Sequence, residues 1–565
     1  MPHPWLDSYP AGVPQAIDPS EYASLVELLE QAFKQFAARD AYVGLGKRVT
    51  FAEVDSTSRL VAAWLQSRGL VKGDRVAIMM PNVLQYPMVL AGALRAGLVV
   101  VNVNPLYTAR ELEHQLRDAG AKAIFILENF AGTLQQVLDK TAIEHVVVTS
   151  MGDPLGLIKG AVVNLVVRRV KKLVPAWRID KAVRYTAVLA EGAALPLKSP
   201  GLGPDDLAFL QYTGGTTGVS KGAMLSHRNI VANVLQSAAW SEPATRSTRK
   251  GPMPEQAVHV CALPLYHIFA LTVCCLLGIR QGALVILIPN PRDLPALVKE
   301  IEPFKVTHFP AVNTLYNALL HFEPFRRLDF SQLRVSNGGG MAVQEAVARQ
   351  WFELTGCPIV EGYGLSETSP SATCNPVDAE TFSGTIGLPL PSTEIAVLDE
   401  DGAPVGLGEV GEIAIRGPQV MVGYWQRPDE TARVMTADGF FKSGDMGQMD
   451  ERGYLRIVDR KKDMILVSGF NVYPTEIEQV VQQMPKVFEC AAIGVPDARS
   501  GEAVKLFVVR KDPSLTEQEI AAFCAENLTA YKRPRSIEFR DDLPKSNVGK
   551  ILRRELRDAE LSRAA

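Results

Sequence analysis

The chain has 565 residues, 47% of them hydrophobic and 21% charged, with 59 Lys and Arg against 62 Asp and Glu for a net charge of −3. That length exceeds a single hydrophobic core and predicts two to four domains; the mixed composition excludes a disordered or fibrous chain, and the near-neutral balance argues against nucleic acid as a partner. Seven cysteines form no CxxC pair and eight histidines form no HxxxH pair, which disfavours a structural zinc site and suits a reducing cytoplasm.

The N-terminal "MPHPWLDSYPAG" lacks the basic-then-apolar start of a secretory signal. "SLVELLEQAF" opens a helix, with Ser24 and Glu27 spaced as a capping box. "RVAIMM", the helical "NVLQYPMVLAGALRAG" and "LVVVNV" form a βαβ unit, and "AIFIL", "HVVVTS", "AVHVCALPL", "GALVILI" and "VTHFPAV" continue a parallel sheet buried on both faces. The longest apolar run, "VCCLLGIRQGALVILI", is broken by Arg280 and Gln281, so no membrane span is expected. Between residues 155 and 174, helical spacing puts Val163, Val166, Val167, Val170 and Val174 on one stripe. Asn164, Arg168, Arg169, Lys171 and Lys172 fall opposite, a pattern suited either to a packing helix or to an anionic membrane surface. After about Thr385 the texture becomes short antiparallel strands, and from Lys461 a compact α+β module. The boundary falls at "DRKKD", giving an N-terminal domain of residues 1–460 and a C-terminal one of 461–565. The predicted class is α/β: a large N-terminal domain of layered sheets and helices with a β-rich subdomain, plus a small mobile α+β domain.

Four stretches carry chemistry. "YTGGTTGVSKGAMLSH" is a strand running into a Gly–Thr loop whose amides and hydroxyls can cradle phosphate, with Lys221 as a point charge. It fails the P-loop template, because Ser220 precedes Lys221 and Gly222 follows it. "EGYGLSETSP" sets Tyr363 between glycines, as a face for a nucleobase, and Glu367 nearby as a magnesium ligand. It is no serine-hydrolase elbow, since Thr368 stands where the last glycine belongs. "FFKSGDMG" places Asp445 in a turn, where a carboxylate can accept two ribose hydroxyls. "LPKSNVGKILRRELR" puts Lys550 before a helix. Each alone reads as easily as a loop, a turn or a solvated charge.

In this order the four resemble the adenylate-forming superfamily of acyl-CoA synthetases, luciferases and peptide-synthetase adenylation domains. The likeness is closest to bacterial long-chain-fatty-acid–CoA ligases, in "LQYTGGTTGVSKGAMLSHRN", "ALPLYHIFALTVCCLL", "SNGGGMAVQ", "GYGLSE" and "LRIVDRKKDMILVSGFNVYPTEIE". The resemblance implies activation of a fatty acid by ATP and Mg2+ to an acyl-adenylate, then transfer to coenzyme A. It implies a catalytic set of Lys550, Glu367, Thr213 and His267, with Thr213 and Glu367 on magnesium. It implies nucleotide contacts from Thr213, Gly214, Gly215, Thr216, Thr217, Gly218, Lys221, Gly338, Tyr363, Gly364, Ser366, Asp445 and Arg460. Ser366 stands where relatives often have threonine. Val312 and Gly338, Gly339 and Gly340 would border the acyl tunnel, and Lys462 would be the hinge, with Asp459 replacing the usual glycine of that motif. A cytoplasmic protein is implied, with peripheral attachment to the inner membrane surface through 155–174 and a homodimer both compatible with the sequence. The alternatives are a medium-chain or aryl-acid ligase, a carrier-loading adenylation enzyme, a membrane-associated NTPase releasing ADP, and an inactive lipid-binding scaffold.

Overall fold

The computed structural model describes residues 3–213, 220–246, 250–379, 381–468, 470–497, 499–546 and 549–564. Among them the widest sheet has eight strands, in the order Gly423–Tyr424, Gly222–Ser226, Leu207–Tyr212, Val99–Asn102, Arg75–Met79, Ala123–Leu127, His145–Thr149 and Ala182–Arg184. From Leu207–Tyr212 to Ala182–Arg184 the neighbours run parallel, while Gly222–Ser226 turns back antiparallel beside Leu207–Tyr212. The expected βαβ unit is there, with Val76 opposite Val100 and the helix Gln85–Arg95 between the strands. Every residue of that helix is buried. Gly92 makes this feasible, since a Cβ there would lie 2.7 Å from Val61 on the neighbouring helix Phe51–Ser67.

A second sheet joins Val258–Cys261, Leu284–Leu287, Asp40–Gly44 and Lys47–Thr50, and a third joins Ser336–Gly338, Ile359–Gly364, Ser371–Cys374 and Leu388–Pro389. The predicted strand "VTHFPAV" lies between these two but makes only single-residue bridges, His308 to His259 and Val335, and Ala311 to Gly338. Pro310, with no N–H to donate, interrupts the ladder there.

The antiparallel texture after Thr385 resolves into a four-stranded sheet of Glu394–Leu398, Gly411–Arg416, Phe441–Met449 and Leu455–Arg460. Beyond it, Gly501–Arg510 pairs antiparallel with Val487–Asp497 and parallel with Ser536–Arg540. One face of that sheet packs Ile477, Val481, Leu506 and Ile520 together; the other packs Phe507, Leu543 and Leu556. Both clusters draw only on residues from Ile465 onward, so this part of the chain builds its own core.

The 155–174 segment is helical over Leu157–Leu165 and continues as a wider turn over Val166–Val170. Its faces match the predicted ones only in part: Val174 on the expected stripe is half-buried, but Val170 is 71% exposed. Val163, Val166 and Val167 are half-buried toward the protein, whereas Leu157, Ile158, Val162 and Leu165 face solvent, Leu157 at 95% exposure. Arg168, expected on the solvated side, donates to both oxygens of the buried Glu128, at 2.9 and 2.8 Å. A helix apolar on most of its circumference has no unique inner face by periodicity, and this ion pair helps to orient it. No described helix is long and apolar enough to cross a membrane.

Candidate active site

A cavity of about 2020 Å³ opens where several strands end. Asn102 and Thr213, at the carboxyl ends of adjacent parallel strands, line it, as do Gly338, Tyr363 and Gly364 at the ends of Ser336–Gly338 and Ile359–Gly364. Parallel sheets place ligands at such strand ends.

The Gly–Thr loop is pinned at its base: the Thr213 N–H donates to the Lys221 carbonyl at 2.9 Å, and the Ser220 hydroxyl to the Thr213 carbonyl at 2.5 Å. Gly214, Gly215, Thr216, Thr217 and Gly218 lie outside the described residues. Lys221 holds Glu430 at 2.6 Å and sits 5.1 Å from the centroid of the Tyr424 ring. Tyr424 in turn donates its hydroxyl to Glu367 at 2.7 Å. Burial raises the Glu367 carboxyl above its ordinary pKa, partly offset by that hydrogen bond. A buried carboxylate with one hydroxyl donor is electrostatically short of a cation.

Gly364 must be glycine, because a Cβ there would lie 1.9 Å from the Pro370 carbonyl oxygen. That close approach carries the chain from Tyr363 into the turn bearing Ser366 and Glu367, both of which line the cavity. The Tyr363 hydroxyl donates to Asp445 at 2.7 Å, and Asp445 pairs with Arg460 at 2.9 Å across an antiparallel register. Tyr363 and Arg460 border the cavity, with the buried Asp445 directly behind them.

Lys462 and Lys550 reach the same space. Burial, then the nearby charge of Arg460, pushes each ammonium down to about 8. Asp459, next to Arg460, is buried and accepts the Thr475 N–H at 2.7 Å. It also meets Arg553 at 3.5 Å, while Arg553 forms a two-pronged pair with Glu478 at 2.9 and 2.6 Å. These ion pairs tie the boundary run to the C-terminal module.

His267 lines the cavity and is neutral, since burial pushes it down to about 4. Its Nδ1 accepts the Phe269 N–H at 3.3 Å, so Nε2 carries the proton. Gly338, Gly339 and Gly340 form a corner in which a Cβ on Gly339 would meet Phe269 at 2.9 Å. Val312 packs behind that corner, 3.7 Å from where a Cβ on Gly340 would stand, and does not itself line the cavity. Sequence reasoning missed Tyr424, Arg427 and Glu430, all cavity-lining; the run "GYWQRPDET" containing them has a turn composition that signals no chemistry.

A family model described as AMP-binding enzyme matches residues 29–425, and one described as AMP-binding enzyme C-terminal domain matches residues 476–550. The chain belongs to the AMP-binding enzymes, the adenylate-forming superfamily. Among AMP-binding enzymes, the long-chain-fatty-acid–CoA ligase of Escherichia coli O157:H7 is 56% identical over 555 residues, covering 98% of each chain. The crystal structure of ATP-bound MatB from Rhodopseudomonas palustris is similar at a TM-score of 0.80 and 30% identity, covering 94% of this chain and 98% of that one. Apo MatB from the same organism gives 0.69 at 29% identity, covering 96% and 100%.

Proposed function

We propose that this AMP-binding enzyme is a long-chain-fatty-acid–CoA ligase, joining fatty acid to coenzyme A through an acyl-adenylate and releasing AMP and pyrophosphate. The observation that carries the reading is the convergence of Thr213, Lys221, Tyr363, Glu367, Arg460, Lys462 and Lys550 on one cavity. The near-full-length identity to a long-chain-fatty-acid–CoA ligase supports the substrate class.

Adenylation needs no protein nucleophile, because the fatty carboxylate is already ionised. It needs charge compensation on phosphate and alignment of the attacking oxygen. Lys221 and Lys550 supply the cations, Lys550 bridging the carboxylate and the α-phosphate, with Ser366 at that phosphate. Binding of triphosphate takes Lys221 from Glu430. Tyr363 presents its face to adenine, while Asp445, held by Arg460, receives the ribose hydroxyls. Glu367 and Thr213 suit Mg2+, which takes few carboxylates plus phosphate oxygens; among the described residues no cluster of three His, Cys, Asp or Glu provides a cage independent of substrate. Bound there, the ion neutralises phosphate charge. The neutral His267 stands where acyl chain and thiol meet, and Gly338 to Gly340 leave width for the chain, with Val312 behind.

The division at 460/461 is part of this proposal: residues 461–565 form a mobile lid pivoting at Lys462. The greater similarity to ATP-bound than to apo MatB supports an adenylation-ready arrangement, with Lys550 at the cavity. Withdrawal of the lid would then admit coenzyme A. The exposed Leu157, Ile158, Val162 and Leu165, beside the exposed Lys159, Arg169, Lys171 and Lys172, support peripheral contact with an anionic membrane surface.

The test is product analysis. Long-chain acid should drive release of AMP and pyrophosphate, and heavy oxygen placed in its carboxylate should appear in the AMP. Release of ADP, or AMP free of label, would overturn the reading.

A further inference from the structure

One end of the cavity lies between the helix His227–Arg246 and the strand Ser371–Cys374. Ser237, Trp240 and Ser241 line it from the helix, and Ser371, Thr373 and Cys374 from the strand. Spaced at i, i+3 and i+4, the three helical residues share one face, two of them small and one bulky. The helix and the strand run side by side. Asn233 exchanges hydrogen bonds with the Ser371 backbone, donating to its carbonyl at 2.8 Å and accepting its N–H at 3.1 Å. Two turns further on, the Trp240 indole N–H donates to the Asn375 carbonyl at 3.0 Å. A helical rise of about 1.5 Å per residue puts the indole roughly 10 Å beyond Ser371, with Ser237 between them. The glycine corner adjoins the same groove, since a Cβ on Gly339 would stand 3.4 Å from the Gly362 carbonyl oxygen and Gly362 pairs with Cys374. Behind Trp240 the space gives way to packed protein. Tyr9, which does not line the cavity, meets the indole edge-on at 5.2 Å between centroids and donates its hydroxyl to the Pro389 carbonyl at 2.6 Å. Swinging the indole aside would cost its buried N–H a partner, so the ring is a fixed obstruction.

We propose that Trp240 is the chain-length stop of the acyl channel: the acyl tail runs between the helix and the strand, past Ser237, and its end abuts the indole. This rests on the acyl-activating reading above. The direction follows from the turn bearing Ser366, which delivers the chain to Ser371 at the head of the groove. A tail entering there meets the small side chain of Ser237 first and Trp240 last. Trp240 takes no part in the chemistry; it fixes which acids fit.

The experiment measures AMP release by the full-length enzyme, Trp240→Ala and Ser237→Leu on octanoate, hexadecanoate and eicosanoate. Each methylene that gains a buried place is worth about fourfold, so room for two more should raise the eicosanoate-to-hexadecanoate ratio of kcat/KM at least about tenfold in Trp240→Ala. Octanoate, too short to reach the indole, should keep its wild-type kcat/KM. Ser237→Leu narrows the groove ahead of the indole and should shift preference the other way, lowering the hexadecanoate-to-octanoate ratio about tenfold, as overpacking a filled site does. An unmoved eicosanoate ratio in Trp240→Ala, or equal falls for octanoate and eicosanoate, overturns the assignment. So does an unmoved hexadecanoate-to-octanoate ratio in Ser237→Leu, which leaves the indole and its hydrogen bond in place. If no acid releases AMP, the acyl-activating reading is what has failed.

Discussion

Lys550 offers the sharpest test of the proposed chemistry. Its ammonium projects into the cavity near Arg460 and Lys462, and burial with that positive neighbour pushes it down to about 8. A lysine cation about 4 Å from a phosphate oxygen at an effective dielectric of 20 is worth about 4 kcal/mol. Deleting it should therefore slow adenylation about 10³-fold. Lys550→Ala is expected to lose acyl-adenylate formation, followed by pyrophosphate release, while still converting supplied acyl-adenylate and coenzyme A to thioester. The charged form is the working form, so it is present below about pH 8 and lost as the pH rises. In the ligand-free enzyme kcat/KM for ATP should consequently fall on the alkaline side of about 8. Lys462 titrates in the same window, also pushed to about 8. Lys550→Arg separates the two, because a guanidinium stays charged and should remove the alkaline limb, whereas Lys462→Arg should retain it. Equal loss of both half-reactions in Lys550→Ala, or an intact alkaline limb in Lys550→Arg, would refute the role given to this lysine.

Lys462→Pro should block thioester formation from supplied acyl-adenylate while adenylation stays measurable by pyrophosphate release; normal thioester turnover would count against a pivot at this position. Arg553→Met strands the buried Glu478 and Asp459, both already raised by burial. Removing one partner of a buried pair costs about 3–5 kcal/mol, so the C-terminal module should unfold at markedly lower urea, and an unchanged denaturation midpoint would contradict the latch. Replacing Leu157 and Ile158 together by Asp removes two exposed apolar side chains, each worth roughly 1.5–3 kcal/mol if buried in a bilayer interface. Binding to vesicles containing anionic lipid should then fall at least about tenfold in a sedimentation assay, and retained binding would remove this surface from the membrane proposal.

Much of this architecture is legible in the chain itself. Alternation of apolar strands with the helix Gln85–Arg95 dictates a parallel sheet, since a strand buried on both faces has to be covered on both sides. The Gly–Thr loop, "EGYGLSE", Asp445 and Lys550 announce phosphate and nucleotide chemistry because such residues at turns and strand ends expose amides, hydroxyls and charge. What local pattern does not contain is who faces whom. Lys221 meets Glu430 209 residues away, and Tyr424 reaches Glu367 across 57. Those meetings are set by the order in which strands join sheets. The orientation of the 155–174 helix likewise depends on Arg168 finding Glu128. Periodicity and turn chemistry act over a few residues and so determined the elements and the type of chemistry; partner, burial and charge state are properties of contacts between distant segments, and only the tertiary structure decided them.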